Sequence, residues 1–148
     1  MMKNIKYFLP IFVIFCSFCE KNTPSQVAVS LTNGAWIQSE YLEDWDKDGV
    51  FDDAARPCEK DDTWNFQTDM KFELKENGDP CDVDTGLLVF YGNWEFQENE
   101  TILRVVLAHG FNVDDYQIES LSDTLLVLNW INPDNPEGPV EEKFILRR

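Results

Sequence analysis

One stretch of the sequence carries the oxygen ligands that a hard cation prefers. It reads D-W-D-K-D-G-V-F-D-D over positions 44–53. Aspartates at alternate positions can turn their carboxylates toward one ion, the glycine permits a sharp turn, and a backbone carbonyl can supply a further oxygen. The spacing therefore predicts a structural Ca²⁺ site with the following ligands: Asp44, Asp46, Asp48, Val50 (through its carbonyl), Asp52 and Asp53.

This loop departs from an EF-hand at the twelfth position, where a bidentate glutamate is usual and this chain has Ala55. Asp53 or Glu59 would have to replace that glutamate. The run is also similar to the D-x-D-x-D-G-x-x-D-D sequences of extracellular calcium-binding repeats, which have no flanking EF-hand helices. With so few oxygens we expect a weak affinity of about 10⁻⁴ to 10⁻³ M. The alternative interpretation is a solvated acidic turn.

The residues that would indicate catalysis are missing from the sequence. The single histidine, His109, has no serine or cysteine motif beside it that would indicate a nucleophile and its base. One histidine cannot form a zinc site alone, and the glycines form no phosphate-binding loop. Carboxylate pairs arise by chance among 28 acidic residues. The sequence therefore predicts a protein that is not an enzyme.

The first 18 residues are typical of an export signal. Two lysines precede an apolar run over 7–18, which is shorter than the roughly 20 residues that a membrane-spanning helix needs. The run ends F-C-S-F-C-E-K without a small-residue cleavage site, which favours lipidation of Cys19. We expect a lipoprotein of the bacterial cell envelope, anchored in the outer membrane, with residues 19–30 as a flexible tether. Simple cleavage and a retained N-terminal anchor are the alternatives.

Two cysteines remain beyond the export segment, Cys58 and Cys81, an even pair in an oxidising compartment. They flank a predicted hairpin, which brings them close together. Pairing Phe66 with Phe72 across that hairpin leaves the cysteines one step out of register, so a bulge or a frayed hairpin base is required. A disulfide is expected, and two free thiols are the alternative.

The chain is strongly acidic, with a formal charge of −16 that becomes −18 once Lys3 and Lys6 are removed with the signal. Such a field repels nucleic acid and favours cations or basic partners.

Short stretches of alternating apolar residues indicate strands, and none beyond position 34 has helical spacing. Eight strands are predicted, over 35–42, 63–68, 71–75, 91–97, 102–107, 116–121, 124–131 and 140–147. Sequential antiparallel strands in so short a chain favour an eight-stranded up-and-down β-barrel over residues 31–148, because closure removes unpaired edges. A two-sheet β-sandwich is the alternative.

An ordered set of residues along the chain resembles the lipocalin-like domains of small bacterial lipoproteins. The set consists of Gly34, Trp36, Cys58, Asp61, Asp62, Phe66, Cys81, Trp94 and Phe96. An arginine also ends the last strand, at Arg147 or Arg148. The resemblance implies that Trp36 packs at the closed end of the barrel with an arginine laid over it, a role that falls to Arg147.

Two functions follow from these observations. The first is binding of a small apolar or amphipathic ligand in the barrel mouth. The second is an interaction or inhibitor module that uses its acidic face to engage a basic protein. The many inward aromatic residues weigh against a deep ligand cavity, because they can fill the interior.

Overall fold

The computed structural model describes residues 23–78, 81, 89–108, 113–133, 135–136 and 138–148. The described residues form one helix, nine strands and two short 3₁₀ turns. The elements are α1 (Gln26–Thr32), β1 (Trp36–Asp44), β2 (Asp52–Asp53), β3 (Thr63–Phe66), β4 (Lys71–Lys75), β5 (Val89–Gln97), β6 (Ile102–Leu107), β7 (Val113–Leu121), β8 (Leu125–Asn132) and β9 (Val140–Arg147), with the 3₁₀ turns at Pro57–Glu59 and Glu98–Glu100.

The strands form one closed antiparallel barrel. β3 to β9 pair in chain order, and β1 closes the ring by pairing with β9 on one side and with β3 on the other. The contact with β9 runs from Ile37 opposite Arg147 to Asp44 opposite Glu141. All eight predicted strands are therefore confirmed, and the barrel rather than the sandwich is the architecture. The two-residue strand β2, which pairs with the end of β1, escaped the sequence prediction because it is too short to alternate.

The interior of the barrel is filled by large apolar side chains. Alternation along each strand turns these residues inward, as predicted, and their burial drives folding. The buried cluster consists of Leu31, Trp36, Trp64, Phe66, Phe72, Trp94, Leu103, Val105, Tyr116, Leu126, Leu128 and Leu146. Half-buried Leu74, Phe96, Trp130 and Phe144 pack against it.

The predicted tether is wrong over residues 26–30, because α1 begins at Gln26. Ser25 caps this helix, its hydroxyl accepting a hydrogen bond of 3.0 Å from the amide of Ala28. Leu31 in the last turn is fully buried. A seven-residue helix is too short to show periodicity, and it is stabilised by its packing on the barrel rather than by its own sequence.

The barrel has two unlike ends. At the closed end β1 begins and β9 finishes, and α1 lies beneath them. At the open end β1, β4, β6 and β8 finish and β3, β5, β7 and β9 begin. Among the described residues, no helix is long and apolar enough to cross a bilayer.

The predicted disulfide is present and joins Cys58 to Cys81, whose Cα atoms lie 5.3 Å apart. Phe66 lies opposite Phe72, as expected. Cys58 falls in the 3₁₀ turn before β3, outside the paired hairpin, and this irregular backbone absorbs the one-step difference in register. The disulfide thus ties the long connection after β1 to the chain that follows β4.

Candidate functional site

The closed end is sealed by Trp36 and an arginine, but the predicted arginine is wrong. The guanidinium carbon of Arg148 lies 3.6 Å from the centre of the Trp36 ring. Arg147 instead points outward and forms an ion pair of 3.3 Å with Glu40. Strand alternation explains the difference, because Leu146 faces the core, which turns residue 147 out and residue 148 back under the barrel.

Backbone carbonyls hold the Arg148 side chain in place. Its Nη2 donates hydrogen bonds to the carbonyls of Ser30 at 2.7 Å and Leu31 at 3.0 Å. The indole of Trp36 donates to the same Leu31 carbonyl at 2.9 Å. These contacts fix α1 across the base of the barrel.

The acidic loop brings together three of its six predicted ligands. Carboxylate oxygens of Asp44, Asp46 and Asp48 all lie within 4.8 Å of one another. Asp44 is buried, and its carboxylate accepts hydrogen bonds of 3.1 Å from the amides of Asp48 and Gly49. The buried aspartate therefore shapes the turn, and the other two carboxylates remain exposed.

Asp52 and Asp53 lie outside this group, and the Val50 carbonyl stays a predicted ligand. Asp52 and Asp53 form β2 and pair with the end of β1. Asp53 forms a 2.7 Å ion pair with Lys60, which lowers the pKa of its carboxyl. The amide of Val50 donates to Asp48 at 2.7 Å.

The inner wall of the barrel at the open end carries a second group of polar and aromatic side chains, which we call the mouth cluster. Residues directly opposite one another on neighbouring strands share a face. Because Phe144 faces the core, its partner Tyr41 faces inward too. Glu142 lies two residues before Phe144 on the same face of β9, and its partners are Glu43 and Trp130. The mouth cluster consists of Tyr41, Glu43, Asp114, Tyr116, Trp130, Asn132, Glu142 and Phe144.

Aromatic rings form the floor of this cluster. The ring of Phe144 lies 4.9 Å from that of Tyr41 and 5.7 Å from that of Tyr116. Trp130 lies 6.4 Å from Tyr116 on the other side. Below them Trp64 contacts both Tyr116 and Phe144. The floor is therefore closed beneath, and Tyr41, Trp130 and Phe144 are half-buried.

The carboxylates of the mouth cluster lie beside these aromatic rings. Glu142 is only 3% exposed, and its Oε1 accepts a hydrogen bond of 2.9 Å from the side-chain Nδ2 of Asn132. The Tyr41 hydroxyl donates to Glu43 at 2.6 Å. Burial raises the pKa of Tyr41, and its hydrogen bonds to Glu43 and Glu142 raise it further. Both carboxylates thus converge on one hydroxyl, which has a single proton to donate.

The negative charges of nearby carboxylates also act on Tyr116. The residue is 7% exposed. Burial raises the pKa of Tyr116, and the negative charges of Asp114 and Glu142 add to the effect. Burial likewise raises the pKa of Asp114.

The sequence contained a signal for part of this cluster. Alternation over 140–147 already places Glu142 on the face of Phe144 and Leu146, so a charge on an inward position was readable. Tyr41 and Glu43 could not be found in this way. A β-bulge between Gln38 and Glu40 reverses which residues of β1 face inward.

Two predicted features lie outside the described residues. Cys19, with the signal segment before it, precedes residue 23, where the description begins, and His109 falls between residues 108 and 113. Their roles remain predictions.

Comparison with known proteins identifies a family. No curated protein matches the chain. A family model described as a lipocalin-like domain matches residues 32–128, from the end of α1 into β8. The match covers more than half of the chain and includes Trp36, both disulfide cysteines and Tyr116. The chain therefore belongs to the lipocalin-like domain family.

Proposed function

We propose that this protein is a non-enzymatic binding protein that holds a small amphipathic ligand at the open end of its barrel. The observation that carries the proposal is the mouth cluster, where half-buried aromatic residues lie beside polar groups on the inner wall. Such a combination is typical of ligand sites. Because Trp64 and its neighbours fill the interior beneath, the ligand lies on this floor rather than in a deep cavity.

An NMR titration with a library of small amphipathic compounds tests this proposal. A ligand at the open end should shift the indole signal of Trp130 and leave that of Trp36 unchanged, because Trp36 lies at the closed end. Trp130→Ala should abolish binding, and the matched variant Trp45→Ala should retain it. Shifts confined to Trp45 would contradict the proposal.

A second candidate function is engagement of a basic protein. A groove of about 540 Å³ along β7 to β9 supports it. Its acidic and apolar lining residues include Asp115, Ile131 and Glu141, and also Asp114 and Trp130 of the mouth cluster. Calorimetry with a cationic secreted hydrolase tests this function. Binding should weaken as salt is added and be lost in Asp115→Arg. Equal binding of the hydrolase to the parent chain and to Asp115→Arg would contradict this function.

We also propose that Cys19 carries a lipid that anchors the protein in the bacterial outer membrane. The cysteine at the end of a short apolar export segment supports this. Metabolic labelling with a fatty acid should mark the full chain and not Cys19→Ser. Equal labelling of both would contradict the proposal.

Finally, we propose that the acidic loop holds a structural Ca²⁺ ion. The proximity of the Asp44, Asp46 and Asp48 carboxylates supports this. Addition of millimolar Ca²⁺ should raise the melting temperature of the protein, and Asp46→Asn should remove that increase. An unchanged melting temperature in the parent chain would contradict the site.

A further inference from the structure

A groove of about 500 Å³ lies at the closed end of the barrel, between α1 and the turn that joins β3 to β4. On the basis of the lipid anchor proposed above, we propose that this groove is a membrane-docking surface. It lies on the bilayer that holds the lipid of Cys19, and hydrocarbon chains of that leaflet cover its apolar side chains. The mouth cluster then faces away from the membrane.

The groove is formed by two short segments that are held firmly against the barrel. Ala28 and Val29 line it from α1, Met70 lines it from the turn, and Trp94 of β5 lines it from the barrel. The amide of Trp94 donates a hydrogen bond to the Met70 carbonyl and its indole donates to the Gln67 carbonyl, each at 3.0 Å. The apolar surface is therefore formed before any partner binds.

The chemistry of the lining suits hydrocarbon. Among the described residues that line this groove none carries a charge, in a chain with 28 acidic and 12 basic residues. Val29 is 45% exposed and Met70 is 59% exposed, so the surface gains from being covered by apolar chains. The groove along β7 to β9, by contrast, places Ile131 beside Asp115 and Glu141. Charged groups are costly to bury in lipid, so only the closed-end groove suits a bilayer.

The start of the described chain lies at the same groove. Thr23 is the first described residue, and it lines the groove. Cys19 is four residues earlier in the sequence, and four residues span at most about 14 Å. A lipid on Cys19 therefore holds the groove within that distance of the leaflet. Because tethering raises the effective concentration of the lipids, a few apolar side chains suffice, although they would not hold an untethered protein on a membrane.

The charge of the chain selects the kind of leaflet. Asp69 is exposed in the same turn as Met70, and the whole chain has a formal charge of −16. Anionic headgroups repel these charges. The docking surface is therefore suited to zwitterionic headgroups.

Paramagnetic broadening of amide signals tests this orientation. The full lipidated chain is placed in phosphatidylcholine nanodiscs that contain a lipid with a gadolinium chelate on its headgroup. Strands of eight or nine residues, inclined to the barrel axis, separate the two ends by about 20 Å. We expect the amides of Val29 and Met70 to be broadened at least threefold more than those of Asp46 and Ile131, which lie at the open end.

Met70→Asn removes the exposed side chain and retains the backbone, because asparagine tolerates the positive φ of 65° at this position. This variant should at least halve the broadening at Val29. Ile131→Asn is the matched control, because it removes a similarly exposed apolar side chain at the open end. It should leave the broadening at Val29 as it is in the parent chain.

Three outcomes would overturn the docking surface. Equal broadening at the two ends, or stronger broadening at the open end, would show that the closed end does not lie on the bilayer. Shifts of the Met70 amide that grow with protein concentration in lipid-free Cys19→Ser would assign the groove to a second copy of the chain. A full chain that incorporates no fatty acid would remove the anchor and the docking surface together, whereas a labelled chain with equal broadening at both ends removes the docking surface alone.

Discussion

The two ends of the barrel differ in the charged groups that lie beside their aromatic rings. At the closed end an aromatic ring, Trp36, is covered by a cation that belongs to the chain, and backbone carbonyls accept hydrogen bonds from its Nη2. At the open end aromatic rings lie beside carboxylates for which the described chain supplies no cation. The comparison teaches that the chain completes one end by itself, whereas the other end is the one where we propose that a ligand binds.

The largest expected effect comes from breaking the closed end at Trp36. This side chain is fully buried, so Trp36→Ala should lower the free energy of unfolding by about 3 to 5 kcal/mol. Trp130→Ala at the open end should cost less than half as much, because Trp130 is only half-buried. Urea denaturation followed by circular dichroism measures both. Equal losses of unfolding free energy in the two variants would contradict the view that the closed end stabilises the fold and the open end serves binding.

A smaller loss should follow from removing the disulfide at the open end. Replacing both Cys58 and Cys81 by serine frees a connection with a sequence separation of 23 residues and should cost about 3 kcal/mol of stability. The Trp36 indole signal should keep its position, because the closed end does not depend on this link. The oxidised and reduced parent chain serve as the control pair, and a shift of Trp36 upon reduction would contradict the separation of the two ends.

Variants of the two C-terminal arginines test which of them stabilises the closed end. Arg148→Ala removes a cation stacked on Trp36 and several hydrogen bonds, so we expect a loss of about 2 kcal/mol. Arg147→Ala breaks only an exposed ion pair and should cost less than about 0.5 kcal/mol. Arg148→Lys should not restore stability, because an ammonium group lacks the planar fork that bonds several carbonyls at once. Thermal unfolding of the three variants measures this order, and a larger loss for Arg147→Ala would reverse the assignment.

Much of the fold could be predicted because it follows from local pattern. Alternating apolar residues determine the strands and the inward aromatic side chains, and the cysteine pair indicates the disulfide. The failures share another cause. Residues 26–30 become helical through burial of Leu31, and β1 changes face at a bulge. Both depend on contacts with strands distant in sequence.

The candidate site was harder to predict for the same reason. Sequence spacing pointed to the acidic loop, whose ligands are adjacent in the chain. The mouth cluster is assembled from β1, β7, β8 and β9, so it becomes visible only when the register is known. An inward acidic residue such as Glu142 is the most informative signal in the sequence. Strand alternation places its side chain inside the barrel, where burial of a charge is costly.

The smallest expected effect concerns another buried acid at the open end, Asp62, which precedes β3. Burial raises its pKa to about 6, and the nearby charge of Glu76 adds to the increase. One carboxylate oxygen of each of these two residues lacks a hydrogen-bond partner in the described chain. Because the folded state holds the proton more tightly than the unfolded state, Asp62 favours folding below about pH 4, and this stability is lost as the pH rises toward 6.

Asp62→Asn should therefore raise stability at pH 7 by about 1 to 2 kcal/mol and flatten its decline between pH 4 and 6. The exposed Asp52→Asn, studied in the same buffers with a chelator present, should retain the decline of the parent chain. Guanidinium unfolding at half-unit pH steps measures the three curves. A parent chain whose stability rises over this interval would contradict the pKa direction. A fall that survives in Asp62→Asn would move its cause to another open-end carboxyl, with Asp114 as the next candidate because burial raises its pKa as well.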